Sequence, residues 1–293
     1  MRVLHTIREM RAACAERFGH GDVSKTGVPR TLGLVPTMGA LHEGHLSLVR
    51  AAKQRCDLVA ASIFVNPMQF GPKEDFSRYP RSLEEDCRLL EREGVDFVFA
   101  PDAQEMYPSQ SFGTFVEVPG ISERLDGRSR EGHFRGVATV VAKLFIIISP
   151  DVAFFGQKDA AQVAVLRAMV HDLNFDLEIA VCPTVREADG LALSSRNRYL
   201  STEERVQAVA LSCSLRSLQN AMTNGEFDAA VLQRNLVNDL TVADGLRLEY
   251  AEIVNQASLE LVSDVRDGAL VAVAAWVGAT RLIDNILLHG EQR

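Results

Sequence analysis

The chain has 293 residues, 47% of them hydrophobic and 24% charged, which is the composition of a folded globular protein and excludes a disordered or collagen-like chain. Its 31 Lys and Arg residues against 39 Asp and Glu residues give a net charge of −8, which argues against a nonspecific nucleic-acid binder because such a protein needs a basic face. The 5 cysteines include no C-x-x-C pair, and no apolar stretch reaches the ~20 residues of a membrane helix, so we expect a cytoplasmic protein without a disulfide framework, a zinc ribbon or a membrane span.

The first 183 residues alternate short apolar runs with helical patterns, as parallel strands joined by crossover helices do. Thr6 and Glu9 predict a capping box at the start of a first helix. Ser82 and Glu85 predict a second capping box, for a helix that ends at Gly94. Further strands are predicted at 31–36, 58–66, 95–100, 152–156 and 177–182, and further helices at 44–54, 137–148 and 159–170. These elements predict an α/β fold, a Rossmann-like doubly wound parallel sheet, for residues 1–183.

The pattern changes after Pro183. Ser201 and Glu204 predict the capping box of a long helix. A second helix is predicted near 227–240, and strands are predicted at 246–254 and 269–278. Helices followed by strands indicate a second, smaller α+β domain over residues 184–293, which we expect to cover the functional site.

The segment PTMGALHEGH, residues 36–45, places two glycines and two histidines between a predicted strand and a helix. Backbone N–H groups at a helix start favour bound phosphate, and His42 and His45 would add donors to its oxygens. A zinc site is a poor alternative, because the histidines are not in H-E-x-x-H spacing. The other alternative is a plain turn followed by surface histidines.

Three further polar segments follow predicted strands, where sites of open α/β folds lie. Residues 62–81 supply the amides of Asn66 and Gln69, which suit a substrate with hydroxyls and a carboxylate. Residues 154–162 supply Lys158 for a phosphate and Asp159 for magnesium, and residues 183–201 read as a mobile lid with serine and arginine donors. Each segment alone could be a surface loop, a helix start or a polar linker, and it is their common position at strand ends that favours a site.

The segment at 36–45 resembles the HIGH-type signature of the nucleotidyltransferase and class I aminoacyl-tRNA synthetase superfamily. With SIFVNPMQF, YPR, HFRGVATVV, FFGQKD and READGLALSSRNRYL, the chain closely resembles the pantoate-beta-alanine ligase family from about residue 30 to 201. The resemblance implies condensation of (R)-pantoate with beta-alanine, with ATP converted to AMP and diphosphate through an enzyme-bound pantoyl adenylate. It also implies Mg²⁺, a homodimer and small-molecule partners, without nucleic acid or membrane. Alternatives are another nucleotidylyltransferase of the superfamily or a non-catalytic nucleotide-binding module.

The resemblance also implies residue roles. His45 corresponds to the proposed proton donor, and Asp159 would lie near the metal. The implied catalytic residues are His42, His45, Lys158, Ser194, Ser195 and Arg196. The implied ATP-binding residues are Met38, Gly39, Ala40, Leu41, His42, Glu43, Gly44, His45, Gly156, Gln157, Lys158, Asp159, Val185, Leu193, Ser194, Ser195 and Arg196. The residues implied around pantoate and beta-alanine are Gln69, Gln162, Asn66 and Tyr79. Gln157 stands where the family often has Glu, Leu193 where it often has Met, and His133 and Arg135 lie in a family-like segment without an assigned role.

Overall fold

The structure, a computed structural model, describes residues 1–18, 30–72, 74–108 and 113–290. The chain divides into two units. The first contains Met1–Ser122, Arg130–Gly156 and Val165–Cys182, and the second contains Glu123–Ser129, Gln157–Ala164 and Pro183–Arg293. The predicted division into domains at 183/184 stays a prediction, and the two short segments 123–129 and 157–164 group with the second unit.

The first unit is built on a six-stranded parallel sheet, within the described residues, in the order β1-β4-β3-β2-β5-β6. Its strands are β1 (Arg2–Leu4), β2 (Leu32–Thr37), β3 (Leu58–Ile63), β4 (Phe97–Phe99), β5 (Val152–Gly156) and β6 (Glu178–Cys182). Most residues of β2 and β3 are buried, because helices cover both faces of a parallel sheet and its central strands are then continuously apolar. The α/β fold with a second α+β part, predicted from the alternating pattern, is confirmed.

Helices connect these strands and pack on the sheet. They are α1 (Ile7–Ala15), α2 (Glu43–Arg55), α3 (Leu83–Arg92), α4 (Ala103–Met106), α6 (His133–Ile148) and α7 (Ala160–Asp172), and the division between the units falls within α7. One core cluster joins α2 to the central strands through Val35, Val49, Val59 and Phe154. Of the helices in the described ranges, none has the length and apolar content that a membrane span requires.

Strand β1 and the start of α3 differ from what the sequence indicates. Strand β1 was not predicted, and its three residues follow the chain's first Met and pair with β4. The capping box at Ser82 is wrong, because the Ser82 side chain makes no capping hydrogen bond and its Oγ instead donates to Asp86 Oδ2 at 3.4 Å. The capping box of Thr6 and Glu9 is confirmed.

The second unit packs helices against a three-stranded antiparallel sheet in the order β7-β8-β9. Its elements are α5 (Asp126–Ser129), α8 (Thr202–Thr223), α9 (Ala229–Val242), β7 (Leu246–Val254), β8 (Ala269–Val277) and β9 (Thr280–Leu288). The capping box of Ser201 and Glu204 is confirmed at the start of α8. Its core brings apolar residues of α8 and α9 onto β8 and includes Leu211, Leu236 and Val273. Strand β9 was not predicted, although it contributes two buried polar residues discussed below.

A half-buried ionic cluster ties the segment 123–129 to the β-sheet of the second unit. Arg281 Nη2 donates to Glu249 Oε1 and to Asp126 Oδ1, both at 2.7 Å, and Trp276 Nε1 donates to Glu249 Oε2 at 2.9 Å. Burial acts to raise the pKa of Glu249, but the hydrogen bonds from Arg281 and its neighbours outweigh it and lower the pKa from 4.5 to about 2.

We expect Glu249→Gln to lower the free energy of unfolding by about 1–2 kcal/mol at pH 7, allowing for solvent screening. The carboxylate contributes stability in full above its ordinary pKa of 4.5, and loses that contribution as the pH falls towards 2. Urea midpoints of both proteins between pH 7 and pH 2 should therefore converge at the acidic end. Glu260→Gln, at an exposed ion pair with Arg124, is the control and should change little. A difference between the two urea midpoints that stayed constant from pH 7 to pH 2 would contradict the assignment of this stability to the Glu249 carboxylate.

Candidate active site

The predicted site residues fall in two sets, one in each unit. The first unit holds Met38, Gly39, Ala40, Leu41, His42, Glu43, Gly44, His45, Asn66, Gln69, Tyr79 and Gly156. The second holds Gln157, Lys158, Asp159, Gln162, Val185, Leu193, Ser194, Ser195 and Arg196. Their roles in binding stay predictions.

The loop between β2 and α2 is held in an unusual backbone conformation by a buried carboxylate. Gly39 and Ala40 have φ values of 81° and 51°, in the left-handed region that costs energy for a residue with a side chain. Asp86, on α3 and 1% exposed, accepts the N–H groups of Ala40 at 2.9 Å and Leu41 at 2.8 Å. Two backbone hydrogen bonds to one buried carboxylate therefore stabilise the turn that leads into the histidines.

His42 and His45 form a capping box with each other at the start of α2. Nδ1 of His42 accepts from the Gly44 N–H at 3.2 Å, and Nδ1 of His45 accepts from the His42 N–H at 3.3 Å. Since Nδ1 is the acceptor in both, the neutral rings carry their proton on Nε2, and each Nε2 is a donor. The ring centroids are 4.1 Å apart, so the two donors lie side by side at the positive end of the helix dipole.

Asn66 is buried, and its side chain holds the neighbouring loop through hydrogen bonds. Its Nδ2 donates to Gln69 Oε1 at 3.0 Å and to the Gly136 carbonyl at 3.1 Å. Its Oδ1 accepts from Tyr107 Oη at 2.9 Å and from the Met68 N–H at 3.2 Å. These four bonds use the hydrogen-bonding capacity of the amide, which favours a role in holding Gln69 over direct contact with a substrate.

Gln69 links the two polar segments of the first unit. Because its Oε1 faces Asn66, its amide nitrogen points the other way, where Nε2 lies 3.1 Å from Met38 Sδ in the turn before the histidines. The residues predicted for ATP and for pantoate therefore meet at Met38 and Gln69, at the carboxyl ends of β2 and β3. Tyr79 is buried and packs edge-on against Phe70, one residue after Gln69.

Arg130, three residues before α6, and His133, the first residue of α6, hold the same loop. Arg130 donates to both oxygens of Glu74, at 2.7 and 2.8 Å, and its Nη1 lies 2.8 Å from His133 Nε2. Since a guanidinium only donates, His133 Nε2 is the acceptor and its Nδ1–H donates to the Gln69 carbonyl at 2.8 Å. Burial acts to raise the pKa of Glu74, but Arg130 outweighs it, so the net shift is downward and the pair stays ionised. His133 thus gains a structural role that the sequence did not assign, and Arg135 pairs with Glu117 at 3.2 Å.

In the second unit, Lys158 and Asp159 lie in a short 3₁₀ turn, Gln157–Asp159, that leads into α7. Lys158 Nζ is 3.3 Å from Asp159 Oδ1, and the Lys158 side chain is 21% exposed. Gln162 follows in the first turn of α7, four residues after Lys158. The turn offers an ammonium, a carboxylate and an amide within five residues.

Residues 183–201 are predicted as a lid. Within their own unit, residues 185–193 form a short hairpin that leads into a 3₁₀ turn, Ser195–Tyr199. The Leu193 N–H donates to the Val185 carbonyl at 2.9 Å, and Ser194 Oγ caps the next turn by accepting from the Arg196 N–H at 3.3 Å. Asn197 donates to Glu187 Oε1 at 2.8 Å, and Arg205 donates to Glu187 Oε2 at 2.6 Å. These bonds hold residues 193–196 in place within the second unit.

The residues that hold the predicted motifs of each unit in place were not predicted from the sequence. Asp86, Arg130 and Asn285 contact the predicted motifs from elements that are 45 or more residues away along the chain. The one available signal was a charged residue on the apolar side of α3, where Asp86 precedes the buried Leu90 by one helical turn.

A parallel sheet with polar side chains at the carboxyl ends of its strands is typical of α/β enzymes that bind phosphates and other anionic substrates. Comparison with known proteins gives the family. The model of the pantoate-beta-alanine ligase family matches residues 2–287, and the chain belongs to this family of ligases.

Individual relatives are similar to this protein over nearly the whole length of both chains. Pantothenate synthetase of Acidobacterium capsulatum is 60% identical over 98% of this chain and 97% of its own. The crystal structure of pantothenate synthetase from Thermus thermophilus has a TM-score of 0.89 at 45% identity, with 98% and 99% of the two chains covered. Pantoate-beta-alanine ligase from Francisella tularensis, complexed with beta-gamma ATP and beta-alanine, has a TM-score of 0.77 at 33% identity, with 98% and 97% covered.

Proposed function

We propose that this protein condenses (R)-pantoate with beta-alanine, with ATP converted to AMP and diphosphate through an enzyme-bound pantoyl adenylate. The observation that carries the proposal is the contact of Met38 with Gln69, which joins the segment predicted for ATP to the one predicted for pantoate. The relative from Francisella tularensis, complexed with beta-gamma ATP and beta-alanine, supports ATP and beta-alanine as two of these substrates.

The first step needs alignment and charge neutralisation. A carboxylate oxygen of pantoate attacks the α-phosphorus of ATP, a P–O bond forms, and the bond to diphosphate breaks. Donors on His42 Nε2, His45 Nε2 and Lys158 Nζ would stabilise the negative charge that builds on the phosphates. Gln69, with its amide orientation fixed by Asn66, would donate to pantoate through Nε2.

The second step needs no protein nucleophile either. The uncharged amine of beta-alanine attacks the acyl carbon, the bond to AMP breaks, and the amine proton is released. Burial raises the pKa of the Cys182 thiol at the end of β6, so this cysteine stays protonated at neutral pH. Adenylate chemistry fits a site of hydrogen-bond donors better than covalent catalysis does.

The side chains fit a magnesium ion that enters with ATP. Among the residues that the structure describes, no group of three or more His, Cys, Asp and Glu side chains could hold a metal by itself. Mg²⁺ is usually held by one or two carboxylates together with substrate phosphates, and Asp159 would supply one carboxylate. When bound, the ion would neutralise phosphate charge beside Lys158.

The test is release of diphosphate from MgATP, first with pantoate alone and then with beta-alanine added, followed by mass detection of products. We expect turnover in the second mixture, with pantothenate and AMP formed in equal amounts. An adenylylated product released without dependence on beta-alanine would favour another nucleotidylyltransferase. Binding of ATP without release of diphosphate in the presence of any acid substrate would favour a non-catalytic module.

The family resemblance also leads us to propose a homodimer in the cytoplasm. Light scattering of the purified protein should give twice the 32.2 kDa mass of one chain. A monomer at micromolar concentration would contradict the dimer and leave the proposed reaction intact.

A further inference from the structure

Strand β9 carries two consecutive polar residues in the interior of the second unit. Asp284 is 2% exposed and Asn285 is 4% exposed, and neither belongs to a segment for which the sequence predicts a role. Buried polar groups persist only where hydrogen bonds compensate their loss of water, so the partners of these two side chains show what they hold in place.

Asn285 holds the turn that contains Lys158. Its Nδ2 donates to the Gln157 carbonyl at 3.0 Å and to the Lys158 carbonyl at 2.8 Å. Its Oδ1 accepts from Gln157 Nε2 at 3.0 Å. The orientation of the amide follows from these partners, because two carbonyl acceptors require the NH₂ group. The side chain of Asn285 thus holds the two peptide groups on either side of the Lys158 Cα.

Asp284 holds the other predicted segment of the same unit. It accepts from Arg186 at 2.6 and 2.9 Å in a bidentate pair, and from the Asn285 N–H at 2.8 Å. Arg186 also donates to the Gly190 carbonyl at 3.1 Å, within the hairpin that leads to Ser194. One strand of the C-terminal sheet therefore anchors both segments that carry the second set of site residues.

We propose that Asn285 is a positioning residue that sets the reach of Lys158 towards the phosphates of ATP. This rests on the proposed function in one respect, the assignment of Lys158 to the phosphates. Gln157 stands where the family often has Glu, and it belongs to the same hydrogen-bond network. Its amide N–H donates to Asn285 Oδ1, which a carboxylate could not do. A rotation of the peptide groups that flank Lys158 would move its ammonium group. Misplacement of a catalytic group by about 1 Å is enough to lower the rate about 100-fold.

The test is a double-mutant cycle between Asn285→Ser and Lys158→Ala. With Lys158 present, we expect Asn285→Ser to lower kcat for diphosphate formation by about 10- to 100-fold, to raise KM for ATP and to leave KM for beta-alanine unchanged. With Lys158→Ala, the same substitution should have less than a twofold further effect, because its effect acts through the lysine. Asn238→Asp, exposed on α9, is the control and should match the parent protein.

Equal losses in both backgrounds, or a lower melting temperature with unchanged kcat, would overturn the proposal. Asn285→Asp serves as a second variant, and failure of both variants to fold at 25 °C would assign Asn285 to stability and likewise overturn it. The same cycle on Kd for MgATP, measured by calorimetry, is independent of pantoate. Coupling in Kd without pantothenate synthesis by the parent protein would therefore refute the proposed function while supporting the positioning role.

Discussion

His45→Ala is expected to lower the rate of diphosphate formation from MgATP and pantoate by about 10²- to 10³-fold, as loss of one preorganised donor does in other transition-state sites. The reason lies in the capping box: His45 Nδ1 accepts the His42 N–H, which makes Nε2 the donor. The loss should fall on kcat more than on KM for ATP, because charge on the phosphates is largest in the transition state. Single-turnover measurement of adenylate formation reads this step directly.

Since His45 also caps α2, two further variants separate its effect on helix stability from its effect on catalysis. His45→Glu restores a side-chain acceptor at the third helical position and should keep the melting temperature, yet its negative charge should abolish activity. His45→Gln keeps both an acceptor and an N–H donor and should retain intermediate activity. Ser47→Ala removes only a bond to the Gly44 carbonyl and is the matched control. Near-parental rates for His45→Ala would contradict the assigned role.

The elements with strong local signals were predicted from the sequence. Strand β3, with five of its six residues buried, reads as an apolar run, and α8 begins at a Ser201 cap that needs only neighbouring residues to form. Both are decided by side chains within a few positions of each other, so periodicity and capping rules capture them.

Two features of the first unit that sequence rules did not capture depend on distant partners. β1 has only three residues, and pairing with β4, more than 90 positions later, makes it a strand. At the start of α3, the Ser82 cap failed because Asp86 is already committed to the turn before α2 and Ser82 donates to it. A sequence rule cannot weigh a local cap against a contact that forms only in the folded chain.

The candidate site divides in the same way. The motifs with His45, Gln69 and Lys158 stand out because polar and glycine-bearing segments follow strands. The residues that orient these motifs do not stand out in the sequence, because Asp86 and Asn285 occupy ordinary positions in a helix and a strand. Their importance is visible only in burial combined with complete hydrogen bonding, which depends on tertiary structure.

Gly136→Ala is expected to displace the loop that carries Gln69. Gly136 lies in α6, and an added Cβ would stand 2.7 Å from the Gln69 backbone nitrogen and closer still to the Met68 carbonyl. Helix propensity alone would favour alanine by about 1 kcal/mol. The clash is with backbone, which cannot rotate away, so we expect a net loss of about 1–3 kcal/mol from overpacking. The Asn66 bond to the Gly136 carbonyl would be strained at the same time.

Because Gln69 is predicted to bind pantoate, kcat/KM for pantoate should fall by about 100-fold in Gly136→Ala, while the Kd for MgATP should change far less. Steady-state kinetics and calorimetry, with the melting temperature as the measure of folding, test both parts. Gly71→Ala is the matched control in the same loop, where the nearest atom to an added Cβ is Glu74 Cγ at 3.7 Å. A higher melting temperature with unchanged activity towards pantoate would contradict this prediction. It would mean that helix propensity outweighs the clash and that the contact of α6 with this loop does not control Gln69.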